Sequence, residues 1–152
     1  MLDDIDQKIL EIVQSQGRMR RNDLADRVGL SLPSVSELLR KLEEAGIITG
    51  YFAKLNHKML GKDVAAFVLV TVDSSKHYGT FVEHVEAADE ILECHAITGE
   101  GTHLLKIRTD NTTMLEKLLG KIQSWTGVTK TTTSIVLSST KETTVLKIHH
   151  HK

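Results

Sequence analysis

Apolar residues recur at helical spacing in the first third of the chain and at alternating spacing through much of the rest. Ile5, Ile9, Ile12 and Val13 share one face and predict a helix over about 3–15, capped by Asp3 or Asp4 and ended by Gly17. Leu24, Ala25 and Val28 predict a short second helix that Gly29 stops. A third helix starts after Ser31. Leu32 and Pro33 lie in its first turn, where proline loses no intrahelical bond, and Val35, Leu38, Leu39 and Leu42 form its stripe before Gly46 closes it. Only Gly29-Leu30-Ser31 separates these two helices, which is the helix-turn-helix pattern. Residues 47–55 read as extended, either a wing or a linking strand, and the weakly patterned stretch after them ends in Gly61.

The remainder predicts strands and helices in turn. A strand is expected over 64–72, and a helix carries Tyr78, Phe81, Val82, Val85 and Ala88 on one face. Strands over 91–98 and 103–109 flank a turn at 99–102. Met114, Leu115, Leu118, Leu119 and Ile122 predict another helix, with Thr113 and Glu116 as a candidate capping box. A strand over 128–137 follows, with a fifth over 143–148. The order βαββαβ is a ferredoxin-like split arrangement, so the expected class is α+β. The expected organisation is a helix-turn-helix domain at 1–50, a linking strand and hinge at 51–62, and a second domain at 63–152.

The strand 64–72 is apolar on both alternating sets, the mark of a strand covered on both faces. The two helices of this fold cover one face only. A second copy of the sheet is the natural cover for the other, which makes Val64, Ala66, Phe67, Val68 and Val70 candidate interface residues and predicts a homo-oligomer. The alternative cover is the helical half of the same chain.

Composition narrows the class. Among 152 residues, 40% hydrophobic and 26% charged content describe a folded globular chain. No apolar run approaches the roughly 20 residues of a membrane helix. The acidic start has no basic stretch or cleavage site of a secretory signal. The single cysteine, Cys94, excludes an intramolecular disulfide, and a reducing cytoplasmic setting is expected.

A net charge of −1 excludes a generally basic coat, so the distribution of charge decides. Between Gly17 and Lys41, six cations (Arg18, Arg20, Arg21, Arg27, Arg40, Lys41) face Asp23, Asp26 and Glu37, a net of +3. Residues 1–16 carry −3. Positive charge is thus concentrated where a helix-turn-helix meets phosphates. Leu32, Ser34, Ser36 and Glu37 at the start of the third helix suit base edges, and Arg21, Arg40 and Lys41 suit the backbone of double-stranded DNA. The competing reading is a three-helix protein-interaction module.

Two further features carry candidate chemistry. In Thr98-Gly99-Glu100-Gly101-Thr102-His103, two glycines permit positive φ and close backbone approach, which fits a plain hairpin turn or a small-ligand loop. Cys94 and His95 point to opposite sides of a strand, so with His103 they make no metal set, and no metal or other cofactor is expected. The His149–His151 run is set aside from site reasoning.

The motifs Leu2-Asp-x-Ile-Asp-x-x-Ile-Leu10, Gly17-Arg18, Leu24-Ala-x-Arg-Val-Gly-Leu-Ser31, Val35, Arg40-x-Leu-Glu-x-x-Gly-Ile-Ile48 and Gly50-Tyr51 occur in order, followed by Glu93-Cys-His95, Thr98-Gly99 and Leu104-Leu-Lys106. This series resembles the Lrp/AsnC (feast/famine) family of prokaryotic transcription regulators along nearly the whole chain. The resemblance implies a winged helix-turn-helix followed by a βαββαβ effector (RAM) domain. It also implies dimers through that domain, often assembled into tetramers or octamers. An amino acid or related metabolite would bind near residues 98–103, between subunits. Two departures stand out. Leu38 replaces a frequent arginine of the family, and Thr102 replaces the second acid of its effector loop. The implied protein is a non-enzymatic regulator that senses a small metabolite. The alternatives are a siroheme-decarboxylase-like enzyme, which resembles the family in fold and domain order, and an effector-domain partner that has lost DNA binding.

Overall fold

The computed structural model describes residues 2–148, so the His149–His151 run lies outside the described residues. The chain divides into two compact units. One runs from the N-terminus to Lys54 and takes in the tail from Lys141, and the other is Leu55–Thr140.

The first unit holds three helices: α1 (Asp4–Ser15), α2 (Arg21–Val28) and α3 (Leu32–Glu44). Asp3 caps α1 and exchanges bonds with Asp6 in a capping box. The end of α1 differs from expectation. Gln16 closes it, and Gly17 does not take the left-handed conformation that a glycine stop uses. Gly29, with φ of 73°, does end α2 that way. Ser31 caps α3 by accepting from the Ser34 amide. Ile9, Leu10, Leu24, Ala25, Val35, Leu39 and Leu42 form the core, with Leu38 only partly buried beside it.

Residues 47–63 contain no strand, so the expected linking strand is absent from the described chain. A strand needs a ladder partner to satisfy its backbone groups, and among the described residues no ladder pairs this segment, although the Lys54 ammonium donates to the Glu142 carbonyl of the tail at 3.3 Å. The expected fifth strand is absent as well. Residues 141–148 belong instead to the helical unit, where the side-chain amide of Gln14 substitutes for a strand partner. Its Nε2 donates to the Leu146 carbonyl at 2.9 Å, and its Oε1 accepts from the Leu146 amide at 2.6 Å.

The second unit runs β1 (Val64–Val72), α4 (Tyr78–Glu86), β2 (Ile91–Ala96), β3 (His103–Thr109), α5 (Thr112–Ser124) and β4 (Val128–Ile135). The sheet order is β2-β3-β1-β4 with every neighbour antiparallel, the expected ferredoxin-like topology. Asn111, not Thr113, caps α5 by accepting from the Met114 amide. The core lies between the helices and one face of the sheet. It contains Ala66, Val68, Val70 and Val72 of β1 with Leu105, Ile107, Phe81, Leu118, Ile122 and Trp125.

That packing corrects the interface assignment. Ala66, Val68 and Val70 are buried in the chain's own core, and Val64 packs against it, so these side chains are not available to a partner. Their apolar character is explained by α4 and α5. Phe67 alone of the five candidates faces the other way, and it is 40% exposed.

Candidate functional site

The outward face of α3 follows from helical geometry. At about 100° per residue, Pro33, Glu37, Arg40 and Glu44 fall opposite the buried Val35, Leu39 and Leu42, with Ser34 and Lys41 beside them. Leu32 is exposed in the first turn, and Ser36 is half-buried on the flank. The Ser34 hydroxyl accepts from Ser31 at 2.9 Å, which ties it into the cap.

Arg40 is not an open cation. Its Nε donates to Glu37 Oε2 at 3.0 Å, its second terminal nitrogen bonds Glu37 Oε1, and its first donates to Glu44 Oε2 at 2.6 Å. The hydrogen bonds from Arg40 hold the Glu37 carboxyl below its ordinary range, and the two carboxylates raise Arg40 further. Counting to the end of α3 changes the charge picture. Arg40 and Lys41 against Glu37, Glu43 and Glu44 leave the helix at −1. Glu43 in turn accepts from the Tyr51 hydroxyl at 3.0 Å. Burial first, then that bond, pushes Tyr51 up to about 12, while nearby Arg21 pulls the other way. Among the described residues no ion pair within 4 Å involves Arg18, Arg21, Arg27 or Lys41, so these carry the open positive charge. Glu43 and Glu44 were missed because the charge count stopped at Lys41; extending it three residues would have found them.

The loop at 98–103 splits into an outward and an inward half. Thr98, Gly99 and Glu100 are exposed, and Gly99 has φ of 92°. Gly101, with φ of 75°, lies so close to β1 that a Cβ there would sit 2.7 Å from Leu69 Cδ1. Thr102 is committed internally. Its Oγ1 accepts from the Val72 amide at 3.0 Å and lies 2.8 Å from His103 Nδ1, and its amide donates to the Val70 carbonyl at 2.8 Å. His103 is 4% exposed, against Tyr78 and Phe81, and burial lowers its pKa. Thr102 and His103 therefore extend the sheet and its core, and His103 also borders a separate groove of about 370 Å³ between α4 and β2. A loop residue followed by an alternating strand must turn its first buried position inward, and His103 is that position.

Glu100 and Gly101 also border a groove of about 230 Å³, whose other walls are Leu69 and Thr71 of β1 and Lys130 and Thr132 of β4. Sequence reading missed the β4 residues because only strand pairing brings them there, with Leu69 opposite Thr132 and Thr71 opposite Lys130. The sheet face around this groove mixes Phe67 and Leu69 with charge. On β2, Glu93 lies 2.9 Å from His95 Nε2 and 3.4 Å from Lys106 Nζ of β3. His95 lies on this face, whereas Cys94, paired with Leu105, lies on the covered one, where burial raises its thiol. Among the described residues no group of three or more His, Cys, Asp or Glu is placed to hold a metal ion.

Comparison with known proteins follows the division into units. The family model for a winged helix-turn-helix DNA-binding domain matches residues 2–49, and that for the Lrp/AsnC ligand binding domain matches residues 65–146. The chain belongs to the Lrp/AsnC family. It is 36% identical to the HTH-type transcriptional regulator FL11 of Pyrococcus furiosus, over 97% of each chain. It is 36% identical to the leucine-responsive regulatory protein of Klebsiella pneumoniae, over 97% of this chain and 92% of that one. Among solved structures, the transcriptional regulator NMB0573/L-Met complex of Neisseria meningitidis superposes with a TM-score of 0.91 at 32% identity, over 97% of both chains. As an Lrp/AsnC protein, the chain is a transcriptional regulator with a helix-turn-helix and a ligand-binding domain, and relatives over nearly its full length are named as regulators. No described helix is long and apolar enough to cross a membrane.

Proposed function

We propose that this Lrp/AsnC protein is a cytoplasmic, sequence-specific regulator that binds palindromic duplex DNA through two copies of α3 and senses a small zwitterionic metabolite, an amino acid first among candidates. The observation that carries the metabolite reading is the groove beside the effector loop. Its lining includes Glu100 of the loop and Lys130 of β4, together with Thr71 and Thr132. A carboxylate suits a ligand ammonium and an ammonium suits a ligand carboxylate, so the pair fits an α-amino acid without the acid that Thr102 replaces. The relative solved with L-Met favours the same class. The open sheet face carrying Phe67 and Leu69 supports pairing with a second copy, and further assembly of dimers into tetramers or octamers.

Thermal-shift screening of the amino acids at millimolar concentration tests the ligand. A stabilising amino acid is expected, with the shift lost in Glu100→Gln and in Lys130→Met. No shift with any amino acid, or an equal shift in both variants, removes the reading. For DNA, Arg21 and Lys41 are expected to neutralise phosphates. Each replacement by alanine should lower the slope of log affinity against log salt by about 0.9. An unchanged slope in the double variant would place the DNA contact elsewhere.

A further inference from the structure

A carboxylate at the centre of a DNA-facing helix needs a reason. Glu37 and Arg40 are each half exposed and lie opposite the buried stripe of α3, where a helix entering the major groove meets base edges. An acid there repels phosphates, and the helix as a whole contributes no net attraction. We propose that Glu37, held in place by Arg40, is a specificity-determining residue of the DNA interface: its carboxylate accepts a hydrogen bond from cytosine N4 in the major groove. The inference rests on the DNA-binding reading above.

The hydrogen-bond inventory supports it. Each Glu37 oxygen takes one bond from Arg40 and keeps a free lone-pair direction. Arg40 spends three of its five N–H groups on Glu37 and Glu44 and retains two for phosphate or a neighbouring base. The planar fork fixes the carboxylate, so its acceptor directions are set before DNA arrives. Cytosine is the base that fits a pure acceptor. Its N4 amino group is flanked by the neutral C5–H on one side and by one acceptor, O6 of the paired guanine, on the other. The adenine N6 amino group lies between two acceptors, its own N7 and O4 of the paired thymine, which would repel the second carboxylate oxygen. Guanine and thymine present acceptors at the same edge. Arg40 is here a positioning residue, and the acid lowers binding to duplexes that lack the matching base.

Selection from a random duplex pool, followed by sequencing, tests this with the full chain. The native protein should enrich one position per half-site in cytosine by about tenfold or more over other bases. Glu37→Ala should reduce that preference below about threefold, leave the other positions unchanged, and bind unselected duplex more tightly. Glu37→Gln should move the preference to adenine, whose N6 and N7 match an amide. Glu44→Gln, which removes the outer partner of Arg40, should retain the cytosine. If Glu37→Ala keeps every preference and only melts earlier, the pair is a helix-stabilising bridge and the proposal fails. Equal loss of the cytosine in Glu44→Gln would assign the effect to net charge and also overturn it. A native protein that enriches no sequence overturns the DNA reading itself, which is a separate result.

Discussion

The helical unit and the sheet unit leave opposite kinds of surface uncovered. On α3, the face away from the core is polar and charged, and its chief cation is held by two acids of the same helix. On the sheet, the face away from the helices keeps Ala65, Phe67 and Leu69 in a row along β1, with Lys106 of β3 beside Phe67 and Glu93 of β2 beyond it. The first surface suits a partner that offers phosphates and base edges. The second suits a partner that is itself half apolar, and a second copy of the sheet meets that condition. The two uncovered surfaces thus differ in kind, one charged and one apolar, and each kind predicts a different response to a single charge.

The two faces of β1 give the largest contrast. Val68 is fully buried under α4 and α5, so Val68→Asp places a carboxylate without a partner in the core. The expected cost is about 3–5 kcal/mol, read as loss of the cooperative transition of the sheet unit. Phe67, one residue earlier, points to the open face, so Phe67→Asp should leave the unit folded and break the assembly to monomers. Circular dichroism with light scattering reads both. If Phe67→Asp unfolds the chain as Val68→Asp does, the two faces are not separable. If it stays a native-size oligomer, the open face is not the contact.

That contrast also shows where the sequence was legible. The bounds of β1 and β3 and the βαββαβ order follow from periodicity and turn residues alone. Which face of β1 meets the helices does not, because both alternating sets are apolar and period-two alternation is silent when neither set is polar. The tail was misread for a related reason. Val145 and Leu146 have strand character, but the Leu146 backbone bonds the side chain of Gln14, a long-range pairing that local pattern does not encode, and the Val145 amide donates to Thr143 Oγ1. In the loop at 98–102 the glycines are legible as turn formers, whereas the inward turn of Thr102 depends on the register of β1 against β3.

A smaller effect is expected where the loop at 98–102 meets the sheet. Gly101 has a left-handed backbone, and its missing Cβ makes room for Leu69 and for the Val70 carbonyl. Gly101→Ala should cost about 1–2 kcal/mol from backbone conformation alone, with a further cost for moving Leu69. Gly99 is also left-handed, but a Cβ there would meet nothing within 4 Å. Gly99→Ala should therefore bear the backbone cost alone. Equal melting temperatures for the two variants would mean that Leu69 gives way freely and that the groove wall is soft.

The smallest effect concerns pH, and it again separates the two units. Burial lowers the pKa of His103 from its ordinary 6.5, so the folded sheet unit prefers the neutral ring. Between the lowered value and 6.5 the unfolded chain binds more protons than the folded one. Stability therefore rises with pH across that window and falls as pH drops through it. Above 6.5 the contribution is fully present, and below the folded value no further loss comes from this group. His103→Gln removes the titration while keeping a polar side chain beside Thr102. Melting curves between about pH 7 and pH 5 should fall more steeply for the native protein than for the variant, because the variant lacks the buried ring whose protonation disfavours the folded unit. Groups common to both proteins cancel in the difference. Parallel curves would mean that the ring accepts its second proton without leaving the contact with Tyr78 and Phe81, and that its burial does not limit the sheet unit in acid.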